Sequence, residues 1–298
     1  MNKYKKILVA MDLEQDVTAI KFAARVSQLT GAKETHFYHV TDEYDLPPNL
    51  CSAIEGANES CETIIGRMRR IVEANWNGPA RPRLAYDASD GDVLKDVLNY
   101  IVKKDIDLVV VKKVCGDSKV PSRLAREATC PVLMVPPGAK TAFGNIFVAL
   151  DFSRHSENAI KQALAFAKVS GADKITCVHV YSVPIGYHKT GKTYEQFAEI
   201  LNRNVREQFE ELKKKIRPGK IKANLVVEMN QKPYEGIVAI VRARKADILF
   251  VGVRGMSKTV AILMGSVTER LVDACNIPMM TVKKKGKGTS LLKALFGD

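Results

Sequence analysis

Short apolar runs alternate with helical stripes along the chain, most legibly in its second half. Residues 145–150 form a run, apolar from Ile146 onward, that stops at Asp151. Such a run suits a strand buried on both faces. Residues 156–170 then place Ala159, Ile160, Ala163, Leu164 and Ala167 on one helical face, with Gly171 positioned as a C-terminal cap. The pattern continues with a strand at 174–181, a long amphipathic helix at 194–216 and a strand at 221–228. A helix at 234–245, the strand Asp247–Val251, a helix after Ser266 and a strand opened by Pro278 complete it. Strand alternating with helix predicts a parallel sheet with right-handed crossovers and helices on both faces. Ligands of such sheets sit at the carboxyl ends of the strands, where the strand order reverses.

The pattern occurs twice. Ile7-Leu8-Val9-Ala10-Met11-Asp12 matches Ile146-Phe147-Val148-Ala149-Leu150-Asp151 at an offset of 139. The offset becomes 140 at Ala19-Ile20-Lys21 and holds through Gly31-Ala32, His39-Val40 and Asp107. It jumps to 147 at Pro131, so the first copy lacks seven residues after its fourth strand. A period this long means two copies of one domain, not a solenoid. Residues 1–139 and 143–283 are the two copies, joined near Pro136-Pro137-Gly138, and 284–298 is a tail.

Composition narrows the classes. The chain has 298 residues, 46% hydrophobic and 27% charged, as in ordinary globular domains. No run reaches the ~18 apolar residues of a membrane span, and the N-terminus lacks a signal-peptide pattern. The six cysteines never fall two residues apart, which argues for a reduced cytoplasm and against zinc. The net charge of +13 is uneven: residues 1–140 carry +1 and residues 141–298 carry +12. A basic half suggests an anionic partner, although a solvated helix face over Arg203–Lys222 and the lysine-rich tail account for the same excess. In the tail, Leu291, Leu292, Leu295 and Phe296 form a short stripe behind the lysines. It is expected either to stay solvated, to pack on its own domain, or to dock on an unidentified protein partner or anionic surface.

The chemistry concentrates after the second copy's fourth strand. Gly252, Gly255 and Gly265-Ser266 follow the run Ile248–Val251. Glycines there let backbone N–H groups approach a phosphate, and Ser266 stands where a helix begins. The competing reading is structural: Ser266 and Glu269 spell a capping box, which needs no ligand.

This spacing, with the Ile-x-Val-Ala-x-Asp opening and the His179-Val180 strand end, resembles the universal stress protein family over both copies. The resemblance implies two tandem doubly wound parallel five-stranded sheets, Rossmann-like and related to the adenine nucleotide alpha hydrolases. It implies that ATP, with or without Mg2+, is held by the second copy, whose Gly252, Gly255, Gly265, Ser266 and Val267 match the G-x2-G-x9-G-[S/T] signature. Asp151 and Val180 would border the adenine and ribose. It further implies a stress-response regulator, not an enzyme, whose copies pack as a pseudo-twofold pair and which can form homodimers through the last strands. The first copy keeps Asp12 and Val40 but runs into Lys112-Lys113-Val114-Cys115-Gly116-Asp117, so it is expected not to bind nucleotide. A smaller anion on Lys112 and Lys113 is the other reading of that loop.

Two alternatives stand beside this one. A nucleotide-independent adaptor or small-ligand carrier would use the glycines for the fold only. Gly186-Tyr187-His188-Lys189-Thr190-Gly191-Lys192-Thr193 also spells a phosphate-binding loop of the NTPase type. Pro184 and Ile185 separate it from its strand, however, and no strand ending in Asp follows. His39 and His179 occupy equivalent strand ends, as packed or capped residues would, while His36, His155 and His188 stand alone. No catalytic set, metal site or specific nucleic-acid reader is expected.

Overall fold

The computed structural model describes residues 4–13, 17–41, 61–77, 82–114, 119–253 and 264–283. Gly255 and the tail lie outside them. The chain divides into two compact units, one running to Thr141 and one spanning Ala142–Lys283.

The first unit runs β1 (Lys6–Met11), α1 (Val17–Thr30), β2 (Glu34–Thr41), α2 (Cys61–Asn75), β3 (Arg83–Asp90), α3 (Val93–Lys103), β4 (Leu108–Lys112), α4 (Lys119–Glu127) and β5 (Val132–Val135). Its strands pair in parallel in the order β3-β2-β1-β4-β5. The second unit repeats the plan with β6 (Ile146–Ala149), α5 (Arg154–Ser170), β7 (Lys174–Tyr181), α6 (Tyr194–Ile216), β8 (Lys222–Met229), α7 (Pro233–Ala243), β9 (Ile248–Gly252), α8 (Ser266–Ala274) and β10 (Met279–Val282). Its order is β10-β9-β6-β7-β8, again parallel. The α/β architecture with parallel sheets is the one the alternating pattern predicts.

Each element has a local cause. Ser153 opens α5 by accepting the Ser156 N–H at 3.2 Å, and Gly171 closes it at φ 80, a left-handed cap that glycine adopts without strain. The buried stripe of α5 adds Ser156 and Gln162 to the expected one and differs from it at its largest side chain. Phe166 is fully buried and meets Phe250 of β9 edge-on at 5.4 Å, whereas Leu164 is only half-buried. The alanines at 159, 163 and 167 bring the helix close to the sheet, and the ring of Phe166 fills the space they leave. Burying each such ring contributes about 1.5–3 kcal/mol.

The repeat also recurs as hardware at the opposite end of the strands. Asp107 accepts the N–H groups of Lys5 and Lys6 at 2.9 Å each, and Asp247 accepts those of Gly144 and Asn145 at 2.9 and 2.8 Å. In both units one carboxylate thus pins the start of the first strand to the start of the fourth.

Candidate functional site

In the second unit β7 lies on one side of β6 and β9 on the other, so the strand order reverses at β6. The switch point is the carboxyl end of β6 and β9. Continuing the β6 register beyond its last pair places Asp151 level with Val180 on the β7 side and with Val253 on the β9 side. Two candidate residues far apart in sequence, Asp151 and Val180, therefore meet one short stretch of sheet edge beside the residue that follows Gly252.

The turn leaving β6 is strained. Phe152 sits at φ 60, which costs a bulky residue about 1–3 kcal/mol. The strain redirects the chain so that Asp151 Oδ1 accepts the Ser153 N–H at 3.0 Å. The Phe152 ring tilts over His179 at 5.1 Å between centroids. His179 donates from Nδ1 to the Leu150 carbonyl at 2.8 Å, and His39 makes the same bond to Met11 at 2.9 Å. These histidines tie the ends of adjacent strands together, which is the capped role expected of them. Val180 is held by α7, where a Cβ on Gly236 would come within 3.1 Å of Val180 Cγ1.

Gly252 ends β9 against the first turn of α5. A Cβ there would lie 2.7 Å from the His155 carbonyl carbon and 2.9 Å from its oxygen. This glycine is demanded by helix–strand packing, a role that the loop spacing does not reveal. Beyond it the chain leaves at Val253 and returns at Met264, both buried. The Gly265 N–H donates to the Val253 carbonyl at 2.8 Å, and Thr268 Oγ1 donates to the Gly252 carbonyl at 2.9 Å. These two bonds close the neck of the loop and fix the start of α8 beside the end of β9. Thr268 was not among the sequence candidates; its only signal is its place one turn into the helix.

The start of α8 overturns the capping-box reading. Gly265, not Ser266, is the N-cap, and it makes no side-chain cap bond. Ser266 is the first helical residue and is exposed, with Val267 half-buried behind it. The box that does form belongs to α6: Thr193 Oγ1 accepts the Gln196 N–H at 3.3 Å while Gln196 Oε1 accepts the Thr193 N–H at 3.1 Å. That bond corrects the NTPase-loop alternative. The hydroxyl such a loop would turn toward a metal is engaged in the cap, and Ile185–Thr190 winds into a 3-10 helix. Within that turn the Tyr187 and Gly191 amides donate to Pro184 and His188 carbonyls, not outward to a cradle.

The first unit fills the same place differently. Lys112, the counterpart of Gly252, reaches across to Asp12, the counterpart of Asp151, with Nζ–Oδ2 at 2.5 Å. Lys113 is fully buried. An ion pair thus occupies the switch point, and the pair of lysines is not an open anion holder.

Burial holds the pKa of His179 below its ordinary 6.5, with the Leu150 carbonyl and Asp151 opposing more weakly. Burial also lowers that of His36, against the opposing effect of Glu34 at 3.1 Å. An unfolded chain protonates both histidines near 6.5, before the folded chain does. Their contribution to stability is therefore complete above pH 6.5 and is lost as pH falls from there toward the folded values. The urea midpoint should drop between pH 7.5 and 5.5, and His179→Asn should make the drop shallower. Equal midpoints at the two pH values would contradict this assignment.

The residues and fold together match known proteins. A family model described as the universal stress protein family matches residues 142–283. A universal stress protein of Methanocaldococcus jannaschii is 30% identical over 160 residues, 48% of this chain and 96% of that protein. The solved structure of a universal stress protein from Archaeoglobus fulgidus gives a TM-score of 0.65 at 16% identity, covering 94% of this chain and 97% of its own. A functionally unknown protein from Pseudomonas aeruginosa gives 0.68 at 15% identity, covering 99% and 97%. At these identities the two structures speak to the fold.

Proposed function

The chain belongs to the universal stress protein family, and from that premise we propose that its second unit binds ATP and acts as a stress-response regulator. The observation that carries the reading is the uncapped start of α8. Its N-cap is a glycine with no side-chain cap bond, it carries the positive end of the helix dipole, and its backbone is anchored to the end of β9. Phosphate oxygens are acceptors suited to such a terminus. Gly265, Ser266 and Val267 would hold them, together with Gly255, which lies outside the described residues. Gly252 would contribute its backbone where no side chain can be accommodated. Asp151 keeps one carboxylate oxygen on Ser153, and its other would serve a ribose hydroxyl. Val180 supplies an apolar contact for the base, and Mg2+ would accompany the phosphates.

The proposed role is binding, with occupancy altering a surface, in preference to turnover. Within the described residues no three His, Cys, Asp or Glu side chains cluster to hold a metal. Buried Cys130, Cys177 and Cys275, none of them in a disulfide, suit the reduced cytoplasm we propose as its compartment. Burial pushes the Cys177 thiol up to about 12, which leaves it unreactive. Among the described residues no helix is long and apolar enough to cross a membrane.

Gly252 favours the second reading, an adaptor that binds no nucleotide, because His155 demands a glycine there with or without a ligand. Calorimetric titration separates the two. One ATP per chain is expected, since the Lys112–Asp12 pair stands in the first unit's switch point. Two equivalent sites, or no heat of binding, would each reject the proposal.

A further inference from the structure

The basic half of the chain contains a groove remote from the nucleotide edge. β8 is the last strand of its sheet and, among the described residues, pairs with β7 alone. The pairing runs in unbroken register from Lys174–Lys222 to Tyr181–Met229, so no bulge blunts the outer edge. A groove of about 1010 Å³ follows this edge and is lined by five consecutive residues, Ala223 to Val227. Because consecutive side chains point to opposite faces, the groove reaches both sides of the strand.

One wall is α6. Arg206, Phe209, Glu210 and Lys213 line the groove at i, i+3, i+4 and i+7, a single helical stripe. The other side is a shelf bearing Lys174, Thr176 and Arg244. Four cations thus face one carboxylate, and Glu210 is already engaged by Lys213 at 2.7 Å. Leu225, Val226 and Val227 are only half-buried along this edge. An open strand edge beside a helix accepts an extended peptide, main chain to main chain, with alternate side chains directed to the two faces. Beyond the Lys213–Glu210 pair, the α6 face offers Arg206 and the shelf offers Lys174 and Arg244.

We infer that the edge of β8 takes an acidic peptide segment as an added strand, held between α6 and the Lys174–Arg244 shelf. A second copy of this chain does not suit the edge, because its own Arg206, Lys174 and Arg244 would be brought against their like. Single-stranded nucleic acid finds no stacking platform, since Phe147 and Phe209 are 1% and 2% exposed. The inference is independent of nucleotide binding, because the outer edge of β8 is separated from β6 by β7.

The test uses the full-length chain and a fluorescein-labelled ten-residue peptide of glutamate and valine in alternating pairs, which carries glutamates on both faces of the added strand, followed by anisotropy. The peptide should bind and should protect amides of residues 222–229 from hydrogen exchange. R206E/R244E, which reverses one cation on each side of the groove, should weaken binding at least tenfold. Its melting temperature and ATP titration should stay unchanged, so failure here is separable from failure of the nucleotide reading. A peptide N-methylated at alternate residues keeps the charge but loses the ladder, and should also bind at least tenfold more weakly. Equal binding of the N-methylated peptide, equal binding of a lysine–valine peptide, or unchanged exchange in β8 would each overturn strand addition. Tighter binding by an oligo-dT that displaces the peptide would overturn the choice of partner.

Discussion

Gly252→Ala should destabilise the second unit by about 2–3 kcal/mol, the upper range for forcing a methyl group into a packed interior. The added carbon would stand 2.7 Å from the His155 carbonyl carbon. The atoms it meets are mostly backbone of the first turn of α5, which cannot swing aside as a side-chain tip can. Relief requires α5 to lift from β9, and that loosens the Phe166–Phe250 contact beneath it. A melting temperature lower by about 5–10 °C is expected, read by calorimetry without nucleotide. Lys112 shows the contrast, since the same sheet position in the first unit carries a long side chain directed to Asp12. A Gly252→Ala melt identical to the parent's would show that the β9–α5 contact is not tight.

The second large effect is on binding. Changing Gly265 and Ser266 together to phenylalanine should weaken ATP binding by more than a hundredfold. Hydrogen bonds from backbone amides to charged phosphate oxygens are worth about 1.5–3 kcal/mol each. Blocking two of them therefore removes about 3–6 kcal/mol, two to four decades of affinity. Stability should change little. Ser266 is exposed, Gly265 lies at φ −73, where any residue is tolerated, and its bond to Val253 uses the backbone. Replacing a glycine N-cap by an apolar residue costs about 1 kcal/mol or less, so the melting temperature should fall by no more than about 4 °C. Retained affinity in this variant would move the phosphates away from α8.

Much of the scaffold was legible because its signals are local or repeated. The strand at 174–181 and the helix at 194–216 stand where the periodicity predicts them. The equivalent histidines proved to be equivalent caps, since a residue at the same place in two copies of one fold meets the same carbonyl. The matched Asp107 and Asp247 marked a shared function as well, although the pattern alone did not identify it as the clamp on the first strand.

The candidate site was less legible. The capping box read at Ser266 and Glu269 did not form, whereas one not singled out in the sequence, Thr193 with Gln196, did. The Ser266 box failed because the bonds from Gly265 and Thr268 to the end of β9 set where the turn of α8 begins, one residue before the serine. The glycine spacing likewise suggested a ligand at Gly252, where the backbone of a helix nearly a hundred residues earlier is the immediate neighbour.

The sequence by itself determined the order of elements, the parallel sense of the sheets, the two copies and the edge where chemistry should gather. Alternation, stripe and offset are properties of the chain read along its length, and a repeated pattern reports them twice. Only the tertiary structure decided which group claims each donor and each space. It set Lys112 on Asp12, Phe166 rather than Leu164 in the core, the backbone of His155 against Gly252, and two cationic faces about the open edge of β8. Each of those outcomes depends on a neighbour brought close by sheet order, and short-range pattern carries no information about competition between such neighbours.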